Sequence, residues 1–199
     1  MRLNLVDVGF QYPRGAPLFE HVNLTLTPGT ITAFTGPSGS GKSTLLMLLA
    51  GAAMPTQGTV TSAGIRTTAW VFQNPVGTPR RSAVDHVTLP LLAQSRAPNE
   101  ADASAQQLLD RFGLHDVAHR EFRQLSGGQA QRLMLARAVA TQPDLLLIDE
   151  PTAQLDSSNA QTVIDVVHEV AQAHSIVVVA THDARLAAQC HTRVQLGLA

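Results

Sequence analysis

Gly36-Pro37-Ser38-Gly39-Ser40-Gly41-Lys42-Ser43-Thr44 decides how the rest of the chain is read. It fits the phosphate-binding pattern G-x-x-x-x-G-K-[ST], with Gly36, Gly41, Lys42 and Ser43 in the fixed places. The six residues before it, Thr30-Ile31-Thr32-Ala33-Phe34-Thr35, are β-branched and aromatic and predict a buried strand. The eight from Ser43 to Ala50 are rich in helix formers, and Gly51 suits a helix C-terminus. Strand, glycine loop and helix together form an anion cradle. The glycines bring backbone N–H groups close to a charge, and the helix N-terminus adds partial positive charge. Lys42 is the only lysine in the sequence, a compact ammonium placed where it reaches between phosphates. The stretch points to a bound nucleoside triphosphate, through Gly36 to Thr44 as a unit.

Bulk properties narrow the class. The chain has 199 residues, 44% hydrophobic and 15% charged, which predicts one sizeable folded domain rather than disorder. The net charge of −1 and the lack of a basic stripe argue against nucleic acid as a partner. The single cysteine, Cys190, excludes an internal disulfide or a thiolate metal cluster. No secretion signal opens the chain, and the longest apolar stretch is too short to span a bilayer. A soluble, cytoplasmic protein is expected, with any membrane role supplied by a partner.

Hydrophobic periodicity predicts a largely α/β chain with two distinctive segments. Alternation at Leu3 and Leu5, a turn at residues 11–15 and alternation over 22–27 read as antiparallel β. Two more strands are predicted at 59–63 and 67–73. Residues 74–81 mark a boundary. From 76 to 126 the pattern becomes helical, with Asn99 as a candidate N-cap and Gly113 near a helix end. Residues 127–140 predict a buried helix, 144–149 and 175–180 continuously apolar strands, 159–173 an amphipathic helix and 184–190 a short one. Continuously apolar strands alternating with helices imply a parallel sheet covered on both faces.

Leu145-Leu146-Leu147-Ile148-Asp149-Glu150 buries a strand and delivers two carboxylates to its C-terminal end. In a phosphate-loop fold Asp149 there would position Mg²⁺ with the Ser43 hydroxyl, and Glu150 would orient or deprotonate the attacking water.

Leu125-Ser126-Gly127-Gly128-Gln129, followed by Gln131-Arg132, opens the next helix. With it, the whole chain resembles the nucleotide-binding subunit of an ATP-binding-cassette (ABC) transporter. The resemblance implies an α/β phosphate-loop ATPase core with a mostly parallel sheet, an antiparallel β subdomain and a helical insertion. Residues 1–75 and 127–199 would form the catalytic part and 76–126 the helical part of a single domain. It implies Tyr12 stacking on adenine, Gln73 touching Mg²⁺ and water, His182 at the γ-phosphate and Asp156 in a loop that crosses between subunits. ATP and Mg²⁺ are the expected ligands. The partners would be a second cassette, identical or different, and an integral membrane permease on whose cytoplasmic face the chain sits. Ser126, Gly127, Gly128 and Gln129 would serve the ATP of that second cassette.

Some features depart from the family pattern. The chain between Lys42 and Gln73 is short, which puts a strand of the β subdomain in question. Gln154 stands where a small residue is commoner, and the C-terminal end leaves no room for a regulatory domain. Asp85-His86-Val87-Thr88-Leu89-Pro90-Leu91-Leu92 is similar to the lipoprotein-release and macrolide-export branch, whose members often use ATP closure as a mechanical pull. Ribosome-acting relatives carry two cassettes and DNA-repair relatives a long coiled coil, and neither fits. The signature and Glu150 disfavour a phosphate-loop kinase.

Overall fold

The computed structural model describes residues 1–153, 157–172 and 174–197. Two sheets and a set of helices surround two apolar cores. The first sheet is antiparallel: β1 (Arg2–Gln11) lies between β2 (Pro17–Leu26) and β4 (Gln57–Ala63). The short segment after Lys42 has therefore not removed a strand; β4 pairs along β1 from Arg2↔Ala63 to Gly9↔Gln57. The second sheet has the order β5-β6-β7-β3-β8, with β5 (Thr68–Val71), β6 (Leu145–Asp149), β7 (Ile176–Ala180), β3 (Ile31–Thr35) and β8 (Thr192–Gln195) all parallel.

The period of two in the strands sorts their side chains between the cores. Leu145 and Leu147 of β6, with Ile176 and Val178 of β7, meet α1 (Lys42–Leu49) and the antiparallel sheet. Leu146 and Ile148, with Val177 and Val179, face the other way, into a core built chiefly with four further helices. These are α2 (Ala83–Leu92), α3 (Pro98–Arg111), α4 (Gly127–Ala140) and α5 (Ser157–Gln172). Burial on both faces is why these strands read as unbroken apolar runs. The Arg111–Glu169 ion pair joins α3 to α5 at the surface.

Three expectations change. The N-cap of α3 is Ala97, and Asn99 lies inside its first turn, because Pro98 takes the first helical position. Proline has its φ already set for that position and no N–H to leave unpaired there. The strand β8 was not expected. Its residues are mostly exposed, so it lacks an apolar signal, and it is held by backbone pairing to β3 from Thr32↔Thr192 to Thr35↔Gln195. The short helix near the end, α6, stops at Ala188 (Ala184–Ala188). Among the described residues no helix is long and apolar enough to cross a membrane.

Candidate nucleotide site

Parallel strands put their carboxyl ends on one edge of the sheet, where ligands of open α/β folds bind. The end of β3 releases the glycine loop, β6 ends in Asp149, and β7 leads into Thr181 and His182. Next to these ends lies a cavity of about 520 Å³. It is lined by Tyr12, Leu18, Ser38, Gly39, Gly41, Lys42, Ser43, Thr44, Gln73, Asp149, Glu150 and His182.

The loop is shaped by what surrounds it. Gly41 precedes α1 with φ +89°, and a Cβ there would come within 2.8 Å of the Phe19 ring from β2. Only glycine meets both demands, and the antiparallel sheet is thereby packed against the loop. The Lys42 ammonium is buried. It donates to the carbonyls of Gly36 at 2.9 Å and Pro37 at 3.1 Å, and it lies 3.8 Å from Glu150 Oε1. Gly36 and Pro37 hold Lys42 through their carbonyls and border a neighbouring cavity with His182 and Arg193. Ser40 is buried beneath the loop with an unpartnered hydroxyl.

Glu150 follows β6 in the left-handed region, at φ +49°. Its Oε2 accepts the His182 Nδ1–H at 2.8 Å and the His182 backbone N–H at 3.2 Å. Two donors on one oxygen fix the carboxylate and leave Oε1 directed toward Lys42. Asp149 is buried at 7% exposure and its Oδ1 has no partner. Burial pushes its carboxyl above the ordinary aspartate range and the Glu150 charge adds to this, while a hydrogen bond from Ser43 and the charge of Lys42 oppose it. A buried carboxylate oxygen without a partner, beside a serine hydroxyl, is a hard-oxygen donor set that suits Mg²⁺. Among the described residues no three His, Cys, Asp or Glu side chains gather into a metal cage, so such a cation would complete its shell with phosphate and water.

Tyr12 stands at the mouth, half exposed. Its ring meets Phe10 edge-on at 5.0 Å and its hydroxyl is 3.4 Å from Thr44 Oγ1. Leu18, across the same mouth, was missed by sequence reading, since one apolar residue at a strand start carries no signal of its own. Gln73 lines the cavity on the β5 side. Asp156 lies outside the described residues, as do Gln154 and Leu155.

The signature is elsewhere. Ser126 is the N-cap of α4, with its hydroxyl accepting the Gln129 N–H and the Gln129 side chain accepting the Ser126 N–H. Ser126 and Gly127 are exposed, and none of Ser126 to Gln129 lines the cavity. Ser126 thus caps its helix in reciprocal fashion while the remaining N-terminal amides stay open to an anion.

A family model described as ABC transporter matches residues 19–153, more than half of the chain and most of this site. The chain belongs to the ABC transporter family. Its relatives in that family include a lipoprotein-releasing system ATP-binding protein of Anaeromyxobacter dehalogenans, 39% identical over 92% of this chain and 84% of its own. A macrolide export ATP-binding/permease protein of Burkholderia lata is 38% identical over 93% of this chain but only 30% of its own length. Among solved structures, the ATP-binding cassette MJ0796, dimeric and bound to ADP and Pi in a post-hydrolysis state, superposes with a TM-score of 0.87 at 30% identity. That match covers 98% of this chain and 94% of that one. The fold is that of an ABC ATPase cassette, and the chain is an ATP-binding ATPase of this family.

Proposed function

We propose that this chain hydrolyses ATP as one half of a head-to-tail pair, with two ATP molecules held between the two cassettes, and drives a conformational change in a membrane permease. The observation that carries this reading is a division within one chain. Lys42, Ser43, Asp149, Glu150 and His182 meet in one cavity, while Ser126 to Gln129, a helix N-terminus exposed at Ser126 and Gly127, does not line it.

The roles assigned on this reading are those the family resemblance implies, and the geometry of the cavity supports them. Loop amides and Lys42 bind the β- and γ-phosphates, and Tyr12 and Leu18 receive the base at the mouth. Asp149 and Ser43 would hold Mg²⁺, with Gln73 beside them; the cation neutralises phosphate charge when bound. Glu150, fixed by His182, takes a proton from the water that attacks the γ-phosphorus, and ADP leaves with the bridging oxygen. Ser126 and the Gly127–Gly128 amides bind the γ-phosphate held by the other subunit. Asp156 is assigned to the loop between subunits. Residues 76–126 act as the helical subdomain, and the chain sits peripherally on the cytoplasmic face of the membrane.

A second reading has specific support. The identity to a lipoprotein-releasing system protein, together with the residues 85–92, favours a partner that is pulled mechanically and passes no substrate through itself. Copurification of the membrane subunit from the native host distinguishes the two. The pairing is tested by Glu150→Gln with Mg-ATP. This variant should bind ATP and elute as a dimer in sizing with light scattering, and a monomer at saturating ATP would refute the sandwich for the isolated cassette.

A further inference from the structure

The segment that carries Gln73 is fastened at its far end by a histidine that the hydrolytic chemistry does not use. His86 of α2 is 2% exposed. Its Nδ1–H donates to the Ser82 carbonyl at 2.7 Å, and its Nε2 accepts the Thr78 backbone N–H at 3.0 Å. A ring that accepts at Nε2 is neutral and keeps its proton on Nδ1. The imidazole lies 5.5 Å from the Phe122 ring, centroid to centroid. Phe122 also covers Gly77, where a Cβ would come within 2.5 Å of the ring, so the chain passes too close for any side chain at that position.

Backbone bonds extend the fastening. Arg123 N–H donates to the Pro79 carbonyl at 3.1 Å, Phe122 N–H to Arg81 at 2.9 Å, Ala83 N–H to Arg120 at 2.9 Å and Val84 N–H to Ala118 at 2.8 Å. The strand-like pair so formed leads directly into Leu125 and Ser126. At the near end, the Gln131 amide of α4 donates to the Phe72 carbonyl at 3.4 Å. Gln73 therefore lies on a stretch tied at both ends to the elements that present the signature.

We propose that His86 is a positioning residue, a neutral imidazole that buckles the segment after Gln73 to the segment before Ser126, so that a shift of Gln73 at one nucleotide is felt by the signature that serves the other. This rests on the roles given to Gln73 and Ser126 above. The charges that face the ring are Arg81 from its own loop, Arg137 from α4 and Asp85 from α2; Phe122 contributes a ring and no charge. Burial is the largest influence and pushes His86 below the ordinary histidine range, with Arg81 and Arg137 acting the same way and the Ser82 bond and Asp85 opposing. The buckle is closed at neutral pH. It opens as pH falls below the ordinary histidine range, when a second ring proton removes the acceptor for Thr78.

The test uses the full chain with His86→Phe and His86→Gln. Phe keeps a ring against Phe122 and loses both bonds; Gln keeps an uncharged acceptor within reach of Thr78. In His86→Phe, kcat should fall about tenfold while KM for ATP stays within about threefold, because Lys42 and Tyr12 are untouched. Amide exchange at Thr78 should accelerate about tenfold in His86→Phe and stay near wild type in His86→Gln. The ratio of wild-type to His86→Gln turnover should hold near neutral pH and fall as pH drops below the ordinary histidine range, since only the wild type can lose its acceptor by protonation. A constant ratio overturns the proposal, as does a folded His86→Phe with wild-type kcat. If the Phe variant does not fold, the Gln profile decides. Gln73→Ala separates the two levels. If it turns over normally, the assigned role of Gln73 fails; if it is slow and His86→Phe is normal, the buckle alone fails.

Discussion

Asp149→Asn separates folding from metal binding, because the two should respond with opposite signs. The carboxylate is 7% exposed, its Oδ1 has no partner and burial is the main influence raising its pKa. A raised carboxyl pKa means that the folded state holds the proton more tightly than the unfolded chain. Asp149 therefore favours folding below its ordinary value of 3.8 and opposes it once pH has risen through the raised folded value. Once ionised it is a buried charge without sufficient partners. Asparagine removes the charge and keeps an oxygen for the Ser43 hydroxyl. An unsatisfied buried polar group costs about 1–3 kcal/mol, of which we assign about 1 kcal/mol to the difference, since part of the amide stays unpaired. For a chain of this size that is a rise in Tm of roughly 2–4 °C without ligand. With Mg²⁺ and ATP at about a hundred times Kd, wild type gains about 2.7 kcal/mol, and the variant should lose the metal-dependent part of that gain. The assay is thermal unfolding of both proteins in chelator and in Mg-ATP. Wild type should melt lower in chelator and higher in Mg-ATP, and the variant's lead in chelator should shrink as pH is lowered toward the folded pKa. An Asp149→Asn protein that melts below wild type in chelator, or keeps the full Mg-ATP gain, refutes the reasoning.

Three further outcomes are expected. Lys42→Ala removes the one ammonium at the phosphates and should abolish ATP binding or turnover; normal ATPase activity would exclude the loop as the phosphate site. Ser126→Arg removes an N-cap, at about 0.5–2 kcal/mol of stability, and fills the exposed helix end. ATP binding by the monomer should survive while hydrolysis is lost, and calorimetry showing lost monomer binding would place the signature in cis. His182→Ala removes one of two donors on Glu150 Oε2 and should lower kcat by about a hundredfold with ATP affinity nearly unchanged, so an unaltered kcat would deny His182 its positioning role.

What was legible in the sequence is what chemistry ties to residue identity. The glycine loop, Asp149 and Glu150 needed certain side chains at certain spacings, and the structure brings them to one cavity. The strands β6 and β7 were legible because burial on both faces leaves no polar position in them before Asp149. Leu18 was not, because its role comes from a neighbour distant in sequence. Strand β8 was hidden because its stability lies in backbone bonds that every sequence can make. The start of α3 was misplaced by weighing the Asn99 side chain above the φ constraint of Pro98. His86 entered the sequence reading only as part of residues 85–92 and their branch resemblance; nothing in sequence says that its Nε2 meets the Thr78 amide.

The division of the site proposed above would explain why hydrolysis can act as a switch. Moving two cassettes from mostly open to mostly closed takes about 5.5 kcal/mol of differential affinity, or roughly 2.7 kcal/mol at each of two sites. A hydrogen bond to a charged group contributes about 1.5–3 kcal/mol. One or two bonds from the open amides at the start of α4 to the γ-phosphate across the proposed interface would therefore be sufficient. The phosphate needs no such contact to stay on its own subunit, where Lys42 and the glycine loop hold it. On the proposed pairing each ATP would be bound by one chain and sensed by the other, and removing its γ-phosphate would abolish the contact across the interface while the glycine loop still holds the β-phosphate. That is why a cavity complete for binding can still be half of a working site.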